Sequence, residues 1–115
     1  MILFTSLPVS AESTAEMVSA CKALAGADVT GDKVTIPQDF ASGLCWGAFS
    51  SLQHVVRTYT GEQPIFRVCA PPKSTRSQFI AVFVEYARRN PQRLHEDFLD
   101  VVLDSLRRAF PCPSR

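Results

Sequence analysis

Thr75-Arg76-Ser77-Gln78-Phe79-Ile80-Ala81-Val82-Phe83-Val84-Glu85-Tyr86-Ala87-Arg88-Arg89-Asn90-Pro91 spells out both ends of one helix. Thr75 and Gln78 stand at capping-box spacing, so the threonine hydroxyl can take a first-turn amide while the glutamine side chain reaches back to the cap. Asn90-Pro91 closes the helix, because the residue before proline is pushed out of helical geometry. Between these signals, Phe79, Ile80, Val82, Phe83, Val84 and Tyr86 leave hardly any polar face at the centre. A helix that is apolar nearly all round is either central in its domain or covered by a second subunit, and the second option is the ground for expecting a homodimer.

Downstream, a last helix is predicted from about Glu96 to Phe110, with Leu99, Val102, Leu103, Leu106 and Phe110 facing in. Its acids Glu96, Asp97 and Asp100 lie at the start and Arg107 and Arg108 at the end, which suits the helix dipole, and Asp104 with Arg108 makes a surface pair. Upstream, residues 61–73 hold Pro64, Pro71 and Pro72 and read as an irregular crossover. Before it, a helix should run from near Pro37 to about Tyr59, stop at Gly61, and turn Cys45, Ala48, Phe49, Leu52 and Val56 inward. Gly43 and Gly47 within it each cost roughly 1 kcal/mol relative to alanine, which implies the close approach of a neighbouring helix. The first helix opens on the Ser13/Glu16 capping box, buries Met17, Ala20, Cys21 and Leu24, and ends at Gly26; residues 26–37 form a surface connection. The expected fold is all-α, a compact bundle of four main helices in one domain over residues 12–115.

Composition fits one such domain: 115 residues, 46% of them hydrophobic, carry a formal net charge of +1. That balance gives no clustered basic field for a nucleic acid. No stretch approaches the length of a membrane span, so no membrane insertion is expected. Charge is uneven along the chain: residues 1–55 hold Lys22 and Lys33 against five acids, whereas residues 56–115 hold ten Lys or Arg against six. Such asymmetry can steer a partner. Residues 2–9 are apolar and run into Val9-Ser10-Ala11, a small-residue pattern like a signal-peptidase site, although a basic region before it is missing. Residues 1–11 are therefore read as the remnant of an export signal, or else as an N-terminal tail.

Four cysteines allow disulfides, a metal site or free thiols. No C-x-x-C pair is present, and His54 and His95 make no compact ligand set with them, so metal is disfavoured. Cys21 and Cys45 each lie on the apolar stripe of their helix, so packing the first two helices favours Cys21–Cys45. Cys69 precedes the third helix and Cys112 follows the fourth, ends that neighbour each other in an antiparallel hairpin, which favours Cys69–Cys112. Two intramolecular disulfides imply an oxidising compartment; four reduced thiols would imply the cytosol.

Catalytic chemistry has few candidates. His54 stands near Ser50 and Ser51 at helical spacing, the ordinary look of a helix surface, and His95 precedes Glu96 at a helix start. Asp97, Asp100 and Asp104 recur as a solvated helical face does. Gly26 and Gly31 lack the Lys-Ser or Lys-Thr of a phosphate loop, and no cofactor is expected. Trp46 reads as core packing, with a ligand platform as the alternative. Binding surfaces are sought in exposed irregular segments rich in aromatic residues and arginine. Two qualify: Arg57, Tyr59, Glu62 and Gln63 after the second helix, and Arg89, Gln92 and Arg93 between the third and fourth.

Val68-Cys69-Ala70-Pro71, Gln78, Tyr86-Ala87-Arg88-Arg89-Asn90-Pro91-Gln92-Arg93-Leu94-His95 and Ala109-Phe110-Pro111-Cys112-Pro113 resemble the Rap/Tai family of type VI secretion amidase immunity proteins. Cys21 and Gly43-Leu44-Cys45-Trp46-Gly47 correspond to it more loosely. The resemblance spans roughly residues 13–113. It implies a periplasmic, disulfide-stapled helical protein, commonly a homodimer, that blocks the active-site groove of a peptidoglycan amidase effector. The alternative is a periplasmic helical chaperone or acid-stress protein, to which two histidines lend little support as a pH switch. A small lipid carrier would need an internal cavity that so many aromatic residues argue against.

Overall fold

The computed structural model describes residues 12–25, 29–30, 33–57, 64 and 66–113. Four helices carry the fold: α1 (Thr14–Ala25), α2 (Phe40–Arg57), α3 (Arg76–Arg89) and α4 (Phe98–Ala109). A two-residue antiparallel ladder, β1 (Val29–Thr30) with β2 (Lys33–Val34), lies in the connection between α1 and α2, and one 3-10 turn, Pro91–Arg93, precedes α4.

The helix starts follow from local hydrogen bonding. Ser13 Oγ accepts the Glu16 amide at 3.2 Å and opens α1 as the sequence predicts. The expected start of α2 at Pro37 is corrected to Phe40, because the Asp39 carboxylate captures the Ser42 amide at 2.7 Å and caps the helix there. At α3 the capping box is complete: the Gln78 amide donates to Thr75 Oγ at 3.1 Å, and the Thr75 amide to Gln78 Oε1 at 2.7 Å. Helix α4 begins at Phe98, two residues beyond the expected Glu96. The backbone from 94 to 98 is spent on the start of α1: Thr14 and Ala15 donate their amides to the Glu96 and Leu94 carbonyls, and the Phe98 amide donates to Glu12. Two donors that a helix N-terminus leaves unpaired are thereby satisfied by the α3–α4 connection.

The core gathers Met17, Cys21 and Leu24 of α1, Cys45, Phe49 and Leu52 of α2, Phe79, Ile80 and Phe83 of α3, and Phe98, Val101, Val102 and Leu106 of α4. Phe49, Phe83 and Phe98 meet in a three-ring cluster with centroids 5.1 to 5.8 Å apart. Each ring buries enough apolar area to contribute about 2–3 kcal/mol. Helix α3 packs on α1, α2 and α4, so its apolar belt is covered by its own chain and gives no reason of its own for a second subunit.

Both disulfides form as expected. Cys21–Cys45 ties α1 to α2 with both residues fully buried, and Cys69–Cys112 ties the segment before α3 to the end of α4. All four sulfurs are consumed, leaving no thiolate to bind a metal.

Two packing expectations are corrected. Gly43 and Gly47 are exposed, and a Cβ on either would meet nothing within 4 Å, so no helix approaches there among the described residues. The inward stripe of α4 is rotated: Phe98 and Val101 are buried, while Leu99 is 57% exposed. Trp46 packs against the core as expected, half-buried at its edge, with the Arg76 guanidinium 4.6 Å from its ring centre.

Candidate functional site at the two tethered connections

The α3–α4 connection is joined through α4 to Phe66 in the crossover before α3 by a chain of charged groups. Arg93, half-buried, donates twice to Glu96 at 2.9 Å, once to the Tyr86 hydroxyl at 2.8 Å and once to Asp104 at 2.9 Å. Asp104 also accepts from Arg107 at 2.8 Å, and Arg107 Nε donates to the Phe66 carbonyl at 2.8 Å. Asp104 thus pairs with Arg93 and Arg107 and not with Arg108, as its spacing led us to expect. A half-buried arginine bridging three partners meets them in a geometry that solvent screens less than a surface pair. The Glu96 carboxyl is held below its usual range, first by the Arg93 hydrogen bonds, and Arg93 is raised in turn by Glu96, Tyr86 and Asp104.

The crossover before α3 is fixed at its far side in three ways. Arg107 holds Phe66, the Cys69 amide donates to Phe110 at 2.9 Å, and the Cys69–Cys112 bond closes the same corner. Arg67 turns the chain in the left-handed region at φ 58°, its amide donating to Pro64, so that Val68 enters the core. A non-glycine residue there costs roughly 1–2 kcal/mol, strain that the three tethers can hold.

Two flanks of α4 frame different surfaces. Toward α2 runs an apolar groove of about 380 Å³, lined by Ala48, Leu52, Val55, Phe66, Leu99 and Leu103 among others. It exists because α2 and α4 both rest on α1 and α3 and meet each other mainly through Phe98. Toward α3 lies a shallower depression around Tyr86, bordered by Arg89 and Arg108.

The predicted binding residues fall unevenly on this frame. Arg89 is 71% exposed and paired with Glu85 at 2.8 Å; Gln92 is exposed and donates to Asn90 at 3.1 Å. Arg93 is committed to the internal network, where it positions Tyr86 and the connection. Arg57 ends α2, while Tyr59, Glu62 and Gln63 lie outside the described residues. Arg107, Arg108 and Tyr86 were not singled out by sequence; Arg107 and Arg108 read as dipole partners and Tyr86 as core. Only the fold shows Arg107 crossing to Phe66 and Arg108 standing 5.7 Å from the Tyr86 ring centre.

His54 and His95 are both exposed. Among the described residues, no group of three His, Cys, Asp or Glu is placed to hold a metal ion, and no helix is long and apolar enough to cross a membrane.

Comparison with known proteins finds no matching curated protein and no matching solved structure. One family model, described as Rap1a immunity proteins, matches residues 13–112, which is every helix, both disulfides and the whole charged network. An immunity protein acts by binding a toxin effector. The chain belongs to the Rap1a immunity protein family.

Proposed function

We propose that this chain protects its producer against a type VI secretion effector that cleaves peptidoglycan as an amidase, and that it does so in the periplasm by occluding the effector's active-site cleft. The observation that carries the proposal is the family match over residues 13–112. Two disulfides suit an oxidising compartment, and residues 1–11 are taken as the tail of an export signal.

Occlusion needs a segment that enters a cleft without a large ordering cost. The crossover, with Arg57, Tyr59, Glu62 and Gln63, is assigned that role, since its far end is tied down by Arg107, the Cys69 amide and the second disulfide. Arg89 and Gln92 on the α3–α4 connection make the second contact. A homodimer belongs to the same proposal, its apolar interface sought at Leu99 and the groove beside it.

The test is inhibition. The toxin encoded beside this chain's gene is purified and assayed on peptidoglycan with increasing amounts of the oxidised protein. Amide-bond cleavage should fall to background at stoichiometric addition, and cells carrying the chain in the periplasm should survive the toxin directed there. Full amidase activity in the presence of excess protein would refute the proposal.

A further inference from the structure

The α3–α4 face concentrates positive charge around a fixed aromatic ring. Arg88 and Arg89 are 68% and 71% exposed and share one carboxylate, Glu85. Glu85 Oε1 accepts from Arg88 and Arg89 at 2.6 and 2.8 Å, and Oε2 accepts from Arg88 at 2.9 Å. That carboxylate's ion pairs go to Arg88 and Arg89, and none reaches a third cation. The third cation is Arg108, exposed at the end of α4, with no carboxylate within 4 Å among the described residues. Three guanidiniums against one carboxylate leave a local excess of two positive charges on a protein whose formal net charge is +1.

Shape and rigidity accompany the charge. Arg89 and Arg108, with Glu85 paired to Arg89, border an open depression floored by Val82, Tyr86, Ser105 and Ala109. Tyr86 is held at its hydroxyl, which accepts from Arg93, itself fixed by Glu96 and Asp104. Tyrosine and arginine are the residue types that dominate binding energy at interfaces, and a ring ordered in advance loses less entropy when a partner arrives. The apolar groove on the other flank of α4 is lined by no charged side chain, so the two surfaces call for different chemistry.

We propose that Arg89 and Arg108, set around Tyr86 with Arg88 at the edge, form a docking surface for an acidic segment of the toxin that presents two carboxylates. Arginine accepts a carboxylate in a bidentate fork, and Arg88 and Arg89 retain unspent N–H donors beyond those given to Glu85. The surface steers the encounter and fixes register while the crossover fills the cleft. This rests on the proposed immunity function and adds to it the chemistry of the second contact.

The test uses the full chain in oxidised form and the toxin encoded by the neighbouring gene. Affinity is measured by calorimetry at 50, 150 and 500 mM NaCl for the wild type, Arg89→Gln/Arg108→Gln and Arg108→Glu. All three side-chain changes lie at exposed positions, and unchanged thermal midpoints confirm folding. The double variant is expected to bind roughly 100-fold more weakly at 150 mM NaCl, and to lose most of the wild type's salt dependence. Reversal of a toxin Asp or Glu to Arg should restore binding to Arg108→Glu, a rescue that a merely structural role would not produce. Wild-type binding with an unaltered double variant would overturn this proposal and leave the immunity reading standing. A wild type that fails to bind the toxin would overturn both. Binding of the wild type to phosphatidylglycerol vesicles, lost in the double variant while toxin affinity is unchanged, would assign the patch to a membrane surface and overturn it as well.

Discussion

Removing each disulfide in turn separates chain entropy from core packing. The bridged residues are 24 apart in Cys21–Cys45 and 43 apart in Cys69–Cys112. On the loop-closure model these cross-links stabilise by about 3.5 and about 4 kcal/mol, so length alone makes the second bridge worth about 0.5 kcal/mol more. Burial reverses the order. Cys21 and Cys45 are fully buried, so Cys21→Ala/Cys45→Ala also removes two packed sulfur atoms at about 1 kcal/mol each and costs about 5.5 kcal/mol in all. Cys69 and Cys112 are half-buried at the edge, where solvent can fill the space, and Cys69→Ala/Cys112→Ala costs about 4 kcal/mol. Against a whole-domain stability of about 5–15 kcal/mol, either loss lowers the thermal midpoint by on the order of 15 °C or more. Urea unfolding of both oxidised single-bridge variants gives the numbers. The m-value should rise in each, because the released unfolded chain exposes more surface. Function should divide the other way. Toxin affinity falls further in the 69–112 variant, since that bond anchors the crossover, than in the more destabilised 21–45 variant. Losses under 1 kcal/mol for both pairs, or a 69–112 loss exceeding the 21–45 loss by more than 1 kcal/mol, would refute the reasoning.

Gly43→Ala and Gly47→Ala should each stabilise the protein by up to about 1 kcal/mol in urea unfolding, because both sites are open and alanine is the better helix former. The rotated phase of α4 is tested by a pair of alanine variants. Phe98→Ala should cost about 3–5 kcal/mol by opening the three-ring cluster, and Leu99→Ala under about 1 kcal/mol in the monomer. Glu85 should titrate at about 2 in a carbon-detected NMR titration, held down first by its hydrogen bonds to Arg88 and then by Arg89. A depressed carboxylate stabilises the fold fully above its unfolded value near 4.5, and that contribution fades as pH falls toward 2; Arg88→Gln/Arg89→Gln should return the midpoint toward 4.5. Asp104→Asn should release Phe66 and the connection around Arg93, read as faster amide exchange at residues 66–69 and 93–96 with little change at the core of α3.

Local signals in the chain were enough for the helices and their covalent ties. The Thr75/Gln78 box and Asn90-Pro91 bound α3 correctly because caps and stops act within three or four residues. Met17, Ala20, Cys21 and Leu24 define the buried side of α1 for a similar reason: they recur at i, i+3, i+4 and i+7, one face of a helix. The Cys21–Cys45 pair follows from such phases, since a cysteine on a buried stripe meets the stripe that packs against it, and Cys69–Cys112 follows from the neighbouring ends of a helical hairpin. Helix α4 was ambiguous. Phe98-Leu99 and Val101-Val102-Leu103 support two phases one residue apart, and the phase was settled by Phe98 fitting between Phe49 and Phe83. The exposure of Leu99, the openness at Gly43 and Gly47, and the network from Glu96 through Arg93, Asp104 and Arg107 to Phe66 likewise depend on tertiary packing. Periodicity tells a residue which face it shares, but a charge chooses its partner by distance across the fold. Asp104 illustrates the difference: one helical turn offered Arg108, and the fold brought Arg93 from the preceding turn to 2.9 Å instead.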